Sequence, residues 1–308
     1  KGPDARKFLD HIMAGRLPKP GRISLSPMLS YRGKLCGDLT VACLDENEFM
    51  VFGSGAAQEM HRRWFESHID KFNLSYSNRS DEYHGLSIAG PNSRKVLEKI
   101  VRDDVSNEKF KFRDSRRMFV GGVPAIINRI SFTGELGYEI YVAPHYQLKL
   151  YEELMEAGKE FNIKPFGGRA LMSMRLEKNW GAWTLDYRPD FTAKETGLDA
   201  FINWDKEFIG KESAQKENSS NKLVPLIVET NEIDVTNNEA VLNGDQSIGY
   251  VTSGGFAHFV NKSVAFTFVD QKNIKSENKI QVEINGDLFN CSIIKEPLYD
   301  PSGQKMRS

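Results

Sequence analysis

ISFTGELGYEIY, residues 130–141, and PFGGRALMSMRLE, residues 165–177, each carry a charge where elementary physics disfavours it. The run Tyr138-Glu139-Ile140-Tyr141-Val142 is apolar or aromatic apart from its glutamate and follows a Thr133-Gly134 turn, which predicts a buried strand. A carboxylate in such a strand costs on the order of several kcal/mol unless it is matched. Arg169 follows Gly167-Gly168 and opens an apolar-periodic helix, where a cation opposes the helix dipole at a cost of roughly 0.3–1 kcal/mol. Two readings stand. Glu139 and Arg169 form a structural ion pair, or Glu139 grips a flat ligand that presents an N–H and an amino group side by side, both accepted by one carboxylate.

Outward from this stretch, the chain contains a repeat. Residues 2–12 read GPDARKFLDHI and residues 90–100 read GPNSRKVLEKI, 88 positions apart. Each is a Gly-Pro turn followed by an amphipathic helix, with Asp4 and Asn92 placed to cap it. Two copies predict two similar α+β units. Residues 217–222 are polar and read as a linker, and beyond them short alternating strands are separated by Asn243-Gly244 and Asn285-Gly286 turns, the pattern of hairpins in a small β-barrel. The expected division is 1–80, 81–216 and 223–308.

With 308 residues, 40% hydrophobic content and a net charge of −1, the chain is long enough for two or three domains and lacks the basic excess of a nucleic-acid surface. No apolar run approaches membrane-spanning length. Cys36, Cys43 and Cys291 form neither a CxxC motif nor an even framework, which argues against a cysteine metal site and predicts a reducing compartment, the cytoplasm or the mitochondrial matrix. There is no GxGxxG after a strand and no P-loop, so no dinucleotide fold is expected here. The chain starts at Lys1 without an initiator Met, and is expected to be a piece of a longer protein.

Several further residues invite a role. Asp38 is a lone acid in the apolar run LCGDLTV; it is either a strand-end aspartate bonded to backbone or a functional acid. His61 and His68 are seven apart on a predicted helix over 56–69, too far for one metal ion, and are expected to be exposed or capping. Lys109, Lys111, Arg113, Arg116 and Arg117 form a basic run that reads as a solvated strand face or a contact for an anionic tail. Trp180, Trp183, Tyr187 and Phe191 crowd one loop, either as packing or as a pocket wall.

FTGELGYE and GGRALMSMRLE resemble the turn-strand and helix motifs of the folate-binding T-protein family: the aminomethyltransferase of the glycine cleavage system and the C-terminal folate module of dimethylglycine and sarcosine dehydrogenases. LEKNWGAW, DYRPDF and Pro297-Leu298-Tyr299-Asp300-Pro301 look more like the dehydrogenase-linked branch. Gly249-Tyr250-Val251-Thr252-Ser253, Glu195-Thr196-Gly197-Leu198 and Phe208-Ile209-Gly210-Lys211 resemble further family elements, while Thr184 and Lys194 stand where glycine and proline are commoner. The lysine-glycine-cysteine-tyrosine signature of the iron–sulfur-linked relatives is missing.

The resemblance implies an α+β fold of two ferredoxin-like units and a C-terminal barrel in a three-lobed arrangement. It implies tetrahydrofolate as the bound cofactor. Asp38 falls on the family's catalytic acid, with Gly37 where a second acid often stands. Glu139 would hold the pterin and Arg169 would orient Glu139 or the folate, in a pocket shared with Phe132, Leu25, Ser54, Tyr141 and Trp183; Leu25 replaces a tyrosine of the T-protein. The implied partner is a small N-methyl amine or its iminium, oxidised by an upstream domain of the same protein in which any FAD would lie. Three rivals remain: a T-protein acting on a lipoyl-bound aminomethyl group, a regulatory module without chemistry, and a demethylase with a different, non-flavin upstream domain.

Overall fold

The protein's structure is a computed structural model that describes residues 1–230, 232–274 and 279–308. The first lobe runs α1 (Ala5–Ile12), β1 (Arg22–Leu29), β2 (Leu35–Asp45), β3 (Glu48–Phe52) and α2 (Gln58–Glu66), the strands forming an antiparallel meander. The second runs β4 (His84–Ala89), α3 (Ser93–Glu98), β5 (Ser115–Val120), β6 (Val123–Asn128), β7 (Gly137–Val142) and α4 (Gln147–Gly158). Helix, three-stranded meander, helix therefore occurs twice, and the repeated Gly-Pro stretches open both copies. Gly2 and Gly90 both take positive φ, +135° and +125°, and each carbonyl accepts an N–H three residues on at 3.0 Å. Phe8, Leu9 and Ile12 of α1 and Val96 and Leu97 of α3 are buried, as the periodicity predicts.

Two details differ from expectation. A ferredoxin-like unit reads β-α-β-β-α-β. Here β6 and β7 form a direct hairpin and α4 follows β7, with the sheet ordered β4-β7-β6-β5. Asp4 and Asn92 stand at the helix N-caps, but neither side chain caps its helix. The Asp4 carboxylate instead accepts the Asn73 N–H and pairs with Lys7, both at 3.0 Å, tying the helix start to a distant loop.

The chain continues through α5 (Gly168–Glu177), a long loop, and the short α6 (Ala193–Thr196), which starts in a Thr192/Glu195 capping box. This segment returns to the first lobe: Leu35 N–H donates to Phe191 O at 2.8 Å and Ile209 N–H to His11 O at 3.0 Å. The last lobe is a closed barrel, β10-β11-β8-β13-β12-β9, from β8 (Asn221–Val228), β9 (Ala240–Asn243), β10 (Gln246–Ala257), β11 (Lys262–Asp270), β12 (Ile280–Ile284) and β13 (Asp287–Ile293). Leu176 of α5 packs against Ala257, Val264 and Phe266 of the barrel.

In the basic run Lys109 and Lys111 are exposed, as a solvated face requires, whereas the arginines are engaged. Arg117 pairs with Glu48 at 2.6 Å, Arg116 with Asp114, and Arg113 Nε donates to Ile23 O at 3.1 Å, while Asp114 also pairs with Arg22. Arg113 and Arg117 join the first sheet to the second, while Arg116 bonds within the second lobe. Between β12 and β13, Asn285 and Gly286 take φ of +53° and +93°, the left-handed pair that a two-residue hairpin needs. Gly286→Ala should therefore cost about 1–2 kcal/mol, the scale of a left-handed alanine. Denaturant unfolding measures it, and an unchanged midpoint would contradict the turn assignment.

Candidate active site

Asp38 lies inside β2 rather than at its end, opposite Pro27 of β1. A proline has no N–H to give, so the cross-strand neighbour offers no donor. Among the described residues no cation and no donor from another residue reaches the carboxylate; only its own backbone N–H favours the charged form. Burial pushes its pKa up to about 7. A half-buried, unpaired acid that titrates near neutrality marks a functional site more often than a structural one.

Glu139 sits on β7 with Tyr138, Ile140 and Val142 turned toward the helices and Glu139 and Tyr141 turned the other way. The register aligns Ser87, Glu139, Asn128 and Ser115 in one polar row across all four strands. Ser115 Oγ donates to Asn128 Oδ1 at 2.7 Å, and Tyr141 Oη donates to Glu139 Oε2 at 2.7 Å. Among the described residues nothing donates to Glu139 Oε1, and burial pushes this carboxyl above its ordinary value. Asn128 Nδ2, fully buried, also lacks a partner. Glu139 and Phe132 line one cavity of about 770 Å³, where Phe132 stacks on Trp180 with ring centres 6.2 Å apart. Ser54 and Tyr141 line a second cavity of about 680 Å³, and the Tyr141 ring rests on Phe52 at 4.5 Å. The Tyr141–Glu139 bond joins the two groups.

Leu25 and Trp183 belong to a third group. Both pack with Tyr187 in one apolar cluster, and Leu25 faces Thr40 on β2, two residues from Asp38. Arg169 stands apart: it is exposed in the first turn of α5, and no ion pair joins it to Glu139. The two charges that stood out in the sequence are thus not partners. The histidine expectation also fails for His61. It is buried, and its Nε2–H donates to Cys36 O at 3.0 Å. A Cβ at Gly37 would lie 2.8 Å from Nε2, and one at Gly53 2.9 Å from Nδ1, so His61 occupies the space that a second acid at position 37 would need. His68 Nδ1 lies 2.7 Å from Trp64 O, and Tyr31 Oη bonds its other ring nitrogen at 2.9 Å.

The residues that sequence reasoning missed are Arg175 and Asp186. They form a fully buried pair at 2.5 Å. Asp186 also accepts Ala182 N–H at 3.0 Å, Thr252 Oγ at 2.5 Å and Ser253 Oγ at 2.6 Å. One carboxylate so binds α5, the 180–191 loop and β10. The signal was present: an arginine in an apolar helix face and an acid between Leu185 and Tyr187. Thr184, two residues earlier, holds φ of +72°, a strained conformation for a β-branched residue and the reason glycine suits this position.

A buried cavity edge with an open carboxylate oxygen and a ring stack suits a flat heteroaromatic ligand bearing adjacent N–H groups, as in a reduced folate. Asp38 gives a pH test. Its folded value lies above the roughly 3.9 of an unfolded aspartate, so between about pH 4 and 7 the folded chain binds more protons, and this group's contribution falls as pH rises, the full penalty applying above 7. Asp38→Asn should raise Tm over wild type at pH 8 and leave it unchanged at pH 4. Thermal melts at both values decide; the same shift at each would contradict the assignment.

Comparison with known proteins shows the family and the fold. The sequence model of the GCVT N-terminal domain matches residues 1–206, and that of the glycine cleavage T-protein C-terminal barrel domain matches residues 221–300. Mitochondrial dimethylglycine dehydrogenase of Homo sapiens is 35% identical over 306 residues, 97% of this chain, which spans 35% of that protein's length. An aminomethyltransferase of Caldanaerobacter subterraneus subsp. tengcongensis is 30% identical over 312 residues, 99% of this chain and 83% of that one. The crystal structure of glycine cleavage system aminomethyltransferase T from Bartonella henselae shares the fold, with a TM-score of 0.87 over 98% of this chain and 83% of that one at 22% identity. With both domains matched in order, the chain belongs to the folate-dependent aminomethyltransferase family of the glycine cleavage T-protein.

Proposed function

We propose that this chain transfers a one-carbon unit from a small N-methyl amine, of the dimethylglycine or sarcosine type, to tetrahydrofolate. The amine would be oxidised to its iminium in an upstream oxidase domain of the same polypeptide, and methylene-tetrahydrofolate would be the product here. The observation that carries the reading is Asp38, an unpaired acid held near neutrality inside β2. The 35% identity to dimethylglycine dehydrogenase, against 30% to an aminomethyltransferase, favours the amine over a lipoyl-bound donor.

Tetrahydrofolate supplies the nucleophilic nitrogens and carries the carbon away. Glu139 would accept the two adjacent N–H groups of the pterin, one on each carboxylate oxygen, with Tyr141 fixing the carboxylate through Oε2. Phe132 and Trp180 wall the ring. Asp38 faces the reacting carbon: ionised, it stabilises the cationic iminium and accepts a folate N–H proton. Its neutral range near pH 7 suits that proton transfer. Most of the rate would come from positioning and aimed charge, with no covalent enzyme intermediate.

Formaldehyde mixed with sarcosine supplies the iminium, and methylene-tetrahydrofolate formed above the uncatalysed rate measures the transfer. Asp38→Asn should keep tetrahydrofolate affinity within about threefold while slowing transfer about ten- to a thousand-fold, the scale of one aimed electrostatic group. An unchanged transfer rate would make Asp38 a structural acid. Binding without any wild-type transfer would favour a regulatory module.

A further inference from the structure

The 180–191 loop brings one more polar group toward the reacting centre. Tyr187 Oη accepts the Gly181 N–H at 3.2 Å, and among the described residues its own proton reaches no acceptor. Asp38 has the opposite deficit, an acceptor without a donor. Leu25 and Tyr187 pack against one apolar cluster, and Leu25 shares a face of the first sheet with Asp38, its register partner Thr40 lying two residues along β2. Burial, and after it the Asp38 charge, push the Tyr187 phenol upward, yet no hydrogen bond joins the two side chains. A free donor and a free acceptor beside the same apolar cluster, not bonded to each other, are each open to a ligand atom.

The hydroxyl is held firmly. A Cβ on Gly181 would lie 2.4 Å from Tyr187 Cζ, so the ring fills space that only glycine leaves. Thr184 N–H donates to Tyr187 O at 2.9 Å, and the adjacent Asp186 is fixed by bonds from α5, the loop and β10. Such fixed donors cost no reorganisation when charge develops.

We propose that Tyr187 is a second catalytic group of the transfer, its hydroxyl donating a hydrogen bond to the amine nitrogen that the carbon leaves, while Asp38 accepts the N–H of the incoming folate nitrogen. The assignment rests on the transfer reading above. Both electron pairs of the iminium C=N bond pass to the amine nitrogen, and the lone pairs of two folate nitrogens make the two new C–N bonds. The two protons those nitrogens lose are the two that the amine gains on leaving as ammonium, so no oxidant or reductant enters. The phenol stays protonated throughout.

Tyr187→Phe keeps the ring against Gly181 and removes only the hydroxyl. With formaldehyde and sarcosine as iminium source, transfer should fall about tenfold, the lower range for a positioned proton-handling group. Calorimetric tetrahydrofolate affinity should stay within about twofold, since the pterin grip lies on Glu139. The acid limb of the pH–rate profile should move upward, because the Asp38 carboxylate loses a neighbouring dipole. In an Asp38→Asn background the same change should cost less than in wild type. A purely structural tyrosine would lower Tm through the lost Gly181 bond and leave the limb and the rate per folded molecule unmoved; that result overturns the proposal. Failure of wild type to bind folate or to transfer removes the transfer reading and Tyr187's role with it, whereas an active wild type matched by the Phe variant removes Tyr187's role alone.

Discussion

The Asp186 carboxylate holds the site together. It accepts from Arg175, Ala182, Thr252 and Ser253, four donors from α5, the loop and the barrel strand β10. The pair with Arg175 is fully buried, and the guanidinium also lies over the Phe266 ring at 5.3 Å. Removing one partner of such a pair costs roughly 3–5 kcal/mol, because the other charge is left uncompensated in low dielectric. The interaction therefore does more than join lobes. It fixes the loop that carries Trp183 and Tyr187, which pack with Leu29 and Leu35 of the first lobe.

Asp186 and Asp38 are the same residue type in opposite circumstances. One has every lone pair occupied, and the other has a proline opposite and no donor from any other residue. Saturation makes the first a structural element. Vacancy leaves the second with its charge destabilised and its affinity for a proton or a cationic ligand high. Glu139 lies between these extremes, with one oxygen bound by Tyr141 and one free. The protein tolerates a stability penalty at Asp38 and Glu139 that the bonds around Asp186 offset elsewhere.

Much of this was legible in the sequence because it was local. The Gly-Pro repeat, the Asn285-Gly286 turn and the alternation around Glu139 each fit within a dozen residues, and each produced the expected element. Asp38 and Glu139 stood out as acids in apolar strands, and among the described residues neither is paired with a cation. What the sequence hid was long-range. Arg175 and Thr252 meet at Asp186 from 11 and 66 residues away, and no local pattern pairs them. His61 read as an exposed helix residue because its acceptor is a backbone carbonyl 25 positions earlier. A Glu139–Arg169 ion pair was one of two readings because both charges were anomalous, yet an exposed first-turn arginine is solvated and needs no partner. The arginines of the 109–117 run are likewise engaged by Glu48, Asp114 and Ile23, which lie in distant or neighbouring segments.

The central claim is that a reduced folate is gripped at Glu139, away from Asp38. Calorimetric titration of tetrahydrofolate into wild type, Asp38→Asn and Glu139→Gln tests it directly. One site of closely similar affinity in the first two, and a loss of about 1.5–3 kcal/mol in the third, the range for a hydrogen bond to a charged group, is the predicted result. No binding to wild type, or equal affinity in the Gln variant, would contradict the account.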